Sequence, residues 1–253
     1  MDFKELHYND TPLLLGNVWD VPGAKIFEKL KYHAIGTSSA AIAHMLGYDD
    51  GEQIPFSELQ YVVNRIISST SLPVSVDIEN GYGRDAAEVV ENIKALHQLG
   101  IAGINIEDSV IDDQGSRQLL GPTAFSEIIT AINRYKTEAK NNLFVNVRTD
   151  AFLIGIDNAL EETLNRLPFY ENAGADGIFV PCIELADDIN KVVKATRLPV
   201  NVMCMPNLPG FEELQKLGVK RISMGNFLHQ AIGNQLEQRI ISISANKSFK
   251  PVF

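Results

Sequence analysis

At 253 residues the chain can hold one large domain or two small ones, and a 45% hydrophobic, 21% charged composition suits a globular fold with a sizeable core. Its 22 Lys and Arg against 32 Asp and Glu leave a formal charge of −10, a surface that repels phosphate backbones and argues against a general nucleic-acid partner. The opening residues lack a basic start followed by an apolar core, and no window approaches the ~18 apolar residues of a membrane span, so a cytoplasmic protein without a membrane partner is expected.

Eight short apolar runs follow one another along the chain, near 13–18, 34–37, 73–78, 102–106, 143–147, 177–181, 199–204 and 221–225. They are apolar throughout and do not alternate, as parallel strands covered on both faces require. Helical patterns separate them. Over 85–99, Val89, Ile93 and Leu96 recur at helical spacing and Gly100 follows as a stop. Over 123–135, Thr123 can cap a helix whose stripe is Phe125, Ile128, Ile129 and Ile132. Stretch 157–173 ends in the punctuation Asn172-Ala173-Gly174-Ala175-Asp176, just before the sixth run. Strand and helix in regular alternation predict an α/β fold, a single (β/α)8 TIM barrel filling 1–253 as one domain. An open doubly wound sheet is the alternative, but Gly16-Asn17-Val18-Trp19-Asp20 after the first run contains no GxGxxG turn.

In such barrels the chemistry lies at the C-terminal ends of the strands. Those positions hold Trp19, Ser38-Ser39-Ala40, Asp77, Glu79, Glu107, Asn146, Arg148 and Cys182. Asp77 and Glu79, two apart on a strand, should share a face, where two carboxylates repel unless a cation or proton intervenes. Mg²⁺ or Mn²⁺ with oxygen ligands would meet that need, with Glu107 one strand over; solvated or ion-paired acids are the bland reading. Arg148 is either a structural partner for an acid or a clamp for a substrate carboxylate. Ser38, Ser39 and Ala40 either cradle a carboxylate with free N–H groups or form an ordinary helix cap, and spacing alone favours the cap. The five histidines form no HExxH pair, which argues against a zinc hydrolase. Cys182 and Cys204 lack CxxC spacing and are more often small buried hydrophobes than nucleophiles.

The motifs GNVWDVPGAKIFE, TSSAAIAHMLGYDDGE, VSVDIENGYG, GINIED, NVRTD, GADGIFVPC and LPVNVM together resemble the isocitrate lyase/phosphoenolpyruvate mutase superfamily, from about Leu13 to Leu228. The resemblance is to its carboxyvinyl-carboxyphosphonate phosphorylmutase-like and methylisocitrate-lyase-like branch. It implies a barrel of the phosphoenolpyruvate-binding type, a homo-oligomer (dimer or tetramer), and a C-terminal segment, about 227–253, packing on a neighbouring subunit. It also implies Mg²⁺ held by Asp77, Glu79 and Glu107, with Glu79 and Asn80 replacing the Asp and Thr of the family motif. Arg148, Glu107 and Asp50 become the expected catalytic groups. The small-carboxylate substrate is expected on Ser38, Ser39, Ala40, Asp77 and Arg148, and strand-end placement adds Trp19, Asn146 and Cys182.

The departures are equally specific. Segment 109–122, SVIDDQGSRQLLGP, has neither the Lys nor the Cys-Gly-His of the lyase gating loop, and Pro181-Cys182 replace the His-Ser pair of the mutases. The expected activity is a Mg²⁺-dependent lyase acting on a small 2-oxo or 2-hydroxy carboxylate through an enolate-like intermediate. The alternatives are a binding protein that kept the site without catalysis and, further off, a phosphoenolpyruvate mutase or phosphonopyruvate hydrolase. A Schiff-base aldolase ranks lowest, because none of the strand-end positions is a lysine.

Overall fold

The computed structural model describes residues 2–112 and 114–253, so position 113 of the expected 109–122 loop lies outside the described residues. A 3₁₀ turn over Glu5–Tyr8 precedes β1 (Leu13–Val18) and α1 (Val21–Lys29). β2 (Ile35–Thr37) leads to α2 (Ser39–Leu46) and α3 (Phe56–Ile67), and β3 (Val74–Asp77) to α4 (Ala86–His97). β4 (Gly103–Glu107) is followed by two short strands, β5 (Ser109–Ile111) and β6 (Arg117–Leu119), and then α5 (Pro122–Glu138). β7 (Phe144–Arg148) feeds α6 (Ala151–Ile154) and α7 (Ala159–Ala173), and β8 (Gly177–Val180) feeds α8 (Ala186–Ala195). β9 (Val200–Met203), α9 (Phe211–Leu217), β10 (Arg221–Ser223) and α10 (Phe227–Asn246) complete the order.

Eight of these strands close into a parallel barrel in the order β1-β10-β9-β8-β7-β4-β3-β2. All eight apolar runs became barrel strands, with ends within two residues of those expected. What the sequence reading treated as a loop is instead an antiparallel hairpin, β5 on β6, with Ser109 opposite Leu119 and Ile111 opposite Arg117. Its turn forms because the Asp112 carboxylate accepts the N–H groups of Gln114 and Ser116 at 2.9 and 2.8 Å, and Gly115 adopts φ +79.

Outward faces pack on the helices. A Cβ on Gly16 would meet the Phe27 ring at 2.5 Å, so glycine there lets α1 approach β1. Inside the barrel, character changes with height. The floor is an apolar plug of Phe3, Leu6, Leu13, Leu15, Ala34 and Phe144, with His7 stacked on Phe144 at 4.0 Å. One level up the same strands present amides: Asn146 donates to Asn105 at 2.9 Å and to Asn201 at 3.1 Å. Arg221 crosses the axis from β10 to reach Asn105 on the opposite strand at 3.1 Å.

α10 differs from every other long helix: none of its residues is buried, and Ile232, Leu236 and Ile240 stand exposed four residues apart. Among the described residues no helix is long and apolar enough to cross a membrane.

Candidate active site

A cavity of about 590 Å³ opens at the C-terminal ends of the strands, and Ser38, Ser39, Ala40, Asp50, Asp77 and Arg148 are among its walls. Ser38 is the extended residue that starts α2, its Oγ accepting from Ala41 N–H at 3.4 Å. The cap expected from spacing is therefore present. It also serves the site, because the next residue turns inward: Ser39 donates to Asp77 Oδ2 from its hydroxyl (2.9 Å) and its N–H (3.4 Å). Burial raises the Asp77 pKa above the ordinary carboxylate value, although Arg148 and the Ser39 bonds pull the other way.

Glu79 does not share a face with Asp77. β3 ends at Asp77, and Glu79 takes a left-handed φ of +50, which breaks the two-residue alternation. Its carboxylate instead accepts from Glu52 N–H (2.6 Å) and the Tyr82 hydroxyl (2.8 Å), while Glu52 accepts from Tyr82 N–H (2.7 Å). Glu79 faces a smaller cavity of about 170 Å³ that it shares with Glu52, Glu107 and Arg117. Gly81 makes this turn possible, since at its φ of +117 a Cβ would press Val89 at 2.7 Å. Burial, with the negative charges of Asp50 and Asp77, pushes Glu79 up to about 7.

Arg148 is gripped from two sides. Its Nε and Nη2 donate to the two oxygens of Asp150 at 2.6 and 3.0 Å, and Nη1 pairs with Glu107 at 2.7 Å. Arg117, carried in by the β5–β6 hairpin, also bonds Glu107, and reaches Ser109 Oγ at 2.9 Å and Asp50 at 3.2 Å. Burial raises Glu107 to about 8 against the pull of Arg148, with Asp150 adding to the rise. The structural reading of Arg148, a partner for acids, is present, and the residue also reaches the cavity.

A buried layer behind the mouth fixes these groups. Asp108 Oδ1 accepts Asp150 N–H at 2.9 Å, while Oδ2 accepts from Arg166 (3.0 Å) and Tyr170 (2.6 Å) on α7. Arg166 also donates to the carbonyl of Leu120 at 2.8 Å, tying down the base of the hairpin. Asp108 and Asp150 stood at strand ends, and Arg117 in the loop, without an expected role, while Arg166 and Tyr170 were outside the expected site. A charged Glu-Asp pair closing an apolar run, and an Arg and Tyr four apart on a helix, were the signals available.

Three expected substrate contacts are not among the residues that line the cavity. Asn146 sits buried inside the barrel, bonded to Asn201 and to Asn105, and of the three only Asn105 lines the cavity. Trp19 packs edge-on to His229 at 4.8 Å, and His229 meets His44 at 5.0 Å, outside the cavity wall. Cys182 follows the lining residue Pro181 in a left-handed conformation (φ +62), and burial raises its thiol.

Among the described residues, no three His, Cys, Asp or Glu side chains converge as a ready-made metal cage. The donors nonetheless suit a hydrated hard cation. Asp50 and Asp77 line the cavity, and Glu79 and Glu107 stand behind it, an all-oxygen donor set of the kind such an ion takes.

The closed parallel barrel and the match to known proteins place the chain in the isocitrate lyase/phosphoenolpyruvate mutase superfamily. Within it, the chain belongs to the phosphoenolpyruvate phosphomutase family, whose model matches residues 3–244. A Mycobacterium tuberculosis protein described as uncharacterized is 32% identical over 91% of this chain and 84% of its own. Oxaloacetate decarboxylase of Pseudomonas entomophila is 29% identical over 88% of this chain and 77% of its own. A provisionally assigned phosphonomutase of Burkholderia cenocepacia superposes with a TM-score of 0.88 at 35% identity, covering 94% of this chain and 97% of that one. With this family and these relatives, the chain is a lyase-type enzyme of the superfamily.

Proposed function

We propose that the chain is a Mg²⁺-dependent lyase that breaks the C–C bond beside the carbonyl of a small 2-oxo acid, decarboxylation being the favoured case. The observation that carries this reading is that Asp77 and Arg148 line one cavity whose hairpin sequence has no acid of the lyase type: Arg117 occupies that hairpin, engaged by the carboxylates of Glu107 and Asp50. Loss of CO₂ is the cleavage that places the least demand on such an acid. The bond from C3 to the leaving carboxylate breaks, its electron pair passes to the 2-oxo oxygen, and C3 then takes a proton from water.

Asp77, Asp50, Glu79 and Glu107 would hold the cation, which supplies a Lewis acid for the developing oxyanion. Arg148 holds the substrate carboxylate, and its grip by Asp150 and Glu107 keeps the guanidinium plane fixed before substrate arrives. Ser39 orients the Asp77 carboxylate through its Oδ2. The pseudomonad decarboxylase among the relatives supports oxaloacetate as the first substrate to try. ¹H NMR of the purified protein with Mg²⁺ and oxaloacetate, methylisocitrate or phosphonopyruvate should show turnover of oxaloacetate above metal-only controls. Absence of turnover for all three sinks the reading. The engaged Arg117 favours one rival, a non-catalytic binder, which calorimetry would reveal as tight Mg²⁺-dependent binding without turnover.

The exposed stripe of α10 supports an oligomer in which this helix covers a neighbouring subunit, since a solitary helix gains little stability without tertiary contacts. Light scattering should give a dimer or tetramer, and L236D should shift it towards monomer. A monomeric wild type at micromolar concentration would refute it.

A further inference from the structure

The wall of the cavity changes character around its rim. The acids and both arginines occupy the arc formed by the β2 loop, β3, β4, the hairpin and the end of β7. The facing arc is apolar from α6 to β9, with Leu153 and Ile154 on α6, Phe179 and Pro181 at the end of β8, and Met203 at the end of β9; it turns polar again at Ser223 and Asn226 beside β10 and Asn17 on β1. In the closed strand order β9 stands four places from β3, directly across the mouth from Asp77. Leu153 remains 36% exposed at the lip, so apolar surface there is left for something to cover.

Charge rules out one kind of occupant. The cations lining the cavity, Arg117 and Arg148, are already paired with Asp50, Glu107 and Asp150, and none stands on the apolar arc. A carboxylate pushed against that arc would lose water and gain no partner. A hydrocarbon chain would instead gain from burial, and Met203 can adjust its shape to whatever arrives. A cavity of about 590 Å³ also has the size of sites that enclose ligands much larger than a four-carbon acid.

We propose that this arc is a subsite for an alkyl chain of several carbons on the third carbon of the substrate, so that the preferred substrates are chain-bearing 2-oxo acids with one anchored carboxylate. The inference rests on the head-group reading above, with the 2-oxo carboxylate at Asp77 and Arg148. Leu153, Ile154 and Met203 are then specificity residues, set apart from the groups that perform the bond cleavage.

N-alkyl oxamates test it, because they carry the same oxo-carboxylate head on a chain that cannot be cleaved. Calorimetry with Mg²⁺ present, from oxamate through N-methyl to N-butyl oxamate, should show affinity rising about fourfold per methylene, the equivalent of ~0.8 kcal/mol each. L153S and M203S, assayed separately and checked for unchanged melting, should each flatten the series. Oxamate binding with no gain along the series overturns the subsite alone, as does a full gain in both variants. A gain with chain length despite undetectable oxamate binding upholds the arc and counts against the head-group reading. No binding by any member overturns both.

Discussion

The two ends of the barrel interior are built from the same strands by opposite rules. β7 carries Phe144 in the floor, Asn146 midway and Arg148 at the mouth; β1 runs from Leu13 through Leu15 to Asn17. At the floor these inward positions join an apolar cluster. At the mouth they are ionised or amide groups, Arg148 held by Asp150 and Glu107 and Asn17 by the Met224 N–H. Stability and chemistry are therefore separable along a single strand, two residues at a time, and substitutions can pull them apart.

The largest effect should fall on function alone. Asp77→Asn keeps the shape of the side chain but removes a charge from the cavity, and about 100- to 1,000-fold of kcat/KM should go with it. Because burial already disfavours the ionised form of Asp77, its melting temperature should hold or rise. A variant that loses stability as well would show that this carboxylate also belongs to the framework. Phe144→Ala is the converse. It empties the centre of the floor plug, should lower unfolding free energy by about 3–5 kcal/mol, and should leave kcat/KM per folded molecule unchanged. Denaturant titration beside active-site titration separates the two quantities.

A smaller effect probes the layer that joins the two regions. Tyr170→Phe deletes the 2.6 Å bond to Asp108 while keeping the ring, at a cost of about 1–2 kcal/mol in stability. If Asp108 also positions Asp150 and so Arg148, KM should rise a few-fold with kcat less affected. A stability loss with unaltered KM would make this layer purely structural.

How much of this was legible in the sequence follows the same division. The strands announced themselves because buried parallel strands must be apolar on both faces, and all eight runs are. Asp77, Arg148 and the Ser38–Ala40 segment could be placed in the cavity because strand ends fix where side chains point, whereas Asp50 came only from the family resemblance. Glu79 could not. Its orientation depends on a left-handed backbone at a non-glycine residue, and only the following Gly81-Tyr82-Gly83 hinted that the strand had already stopped. The hairpin was equally hidden, since Ser109–Ile111 and Arg117–Leu119 are too short and too mixed to show a period. With it went Arg117, whose partners lie 8 to 67 positions away in the chain. Asn146 misled for the opposite reason: strand position gave its face correctly but could not give its depth.

The subtlest contrast is in pH. His7 in the floor is pushed down to about 3 by burial, with Arg221 adding to the fall, so the folded protein keeps it neutral where an unfolded chain would protonate it. Its stabilising contribution is complete above about pH 6.5 and fades as pH drops towards 3. Glu79 and Glu107 at the mouth are raised to about 7 and about 8, so their contribution is complete below their unfolded value near 4.5 and is lost as pH rises through 7 to 8. Between pH 6.5 and 8 His7 is neutral in both states, which leaves the mouth to set the slope. Metal-free protein should therefore melt a few degrees lower at pH 8.5 than at pH 6.5, Glu79→Gln should flatten that fall, and His7→Asn should flatten only the acid limb. Added Mg²⁺ should diminish the alkaline fall by compensating the carboxylates. Melting temperatures that climb from pH 6.5 to 8.5 without metal would mean that the two arginines already neutralise the mouth, and the division between a neutral floor and an overcharged rim would fail.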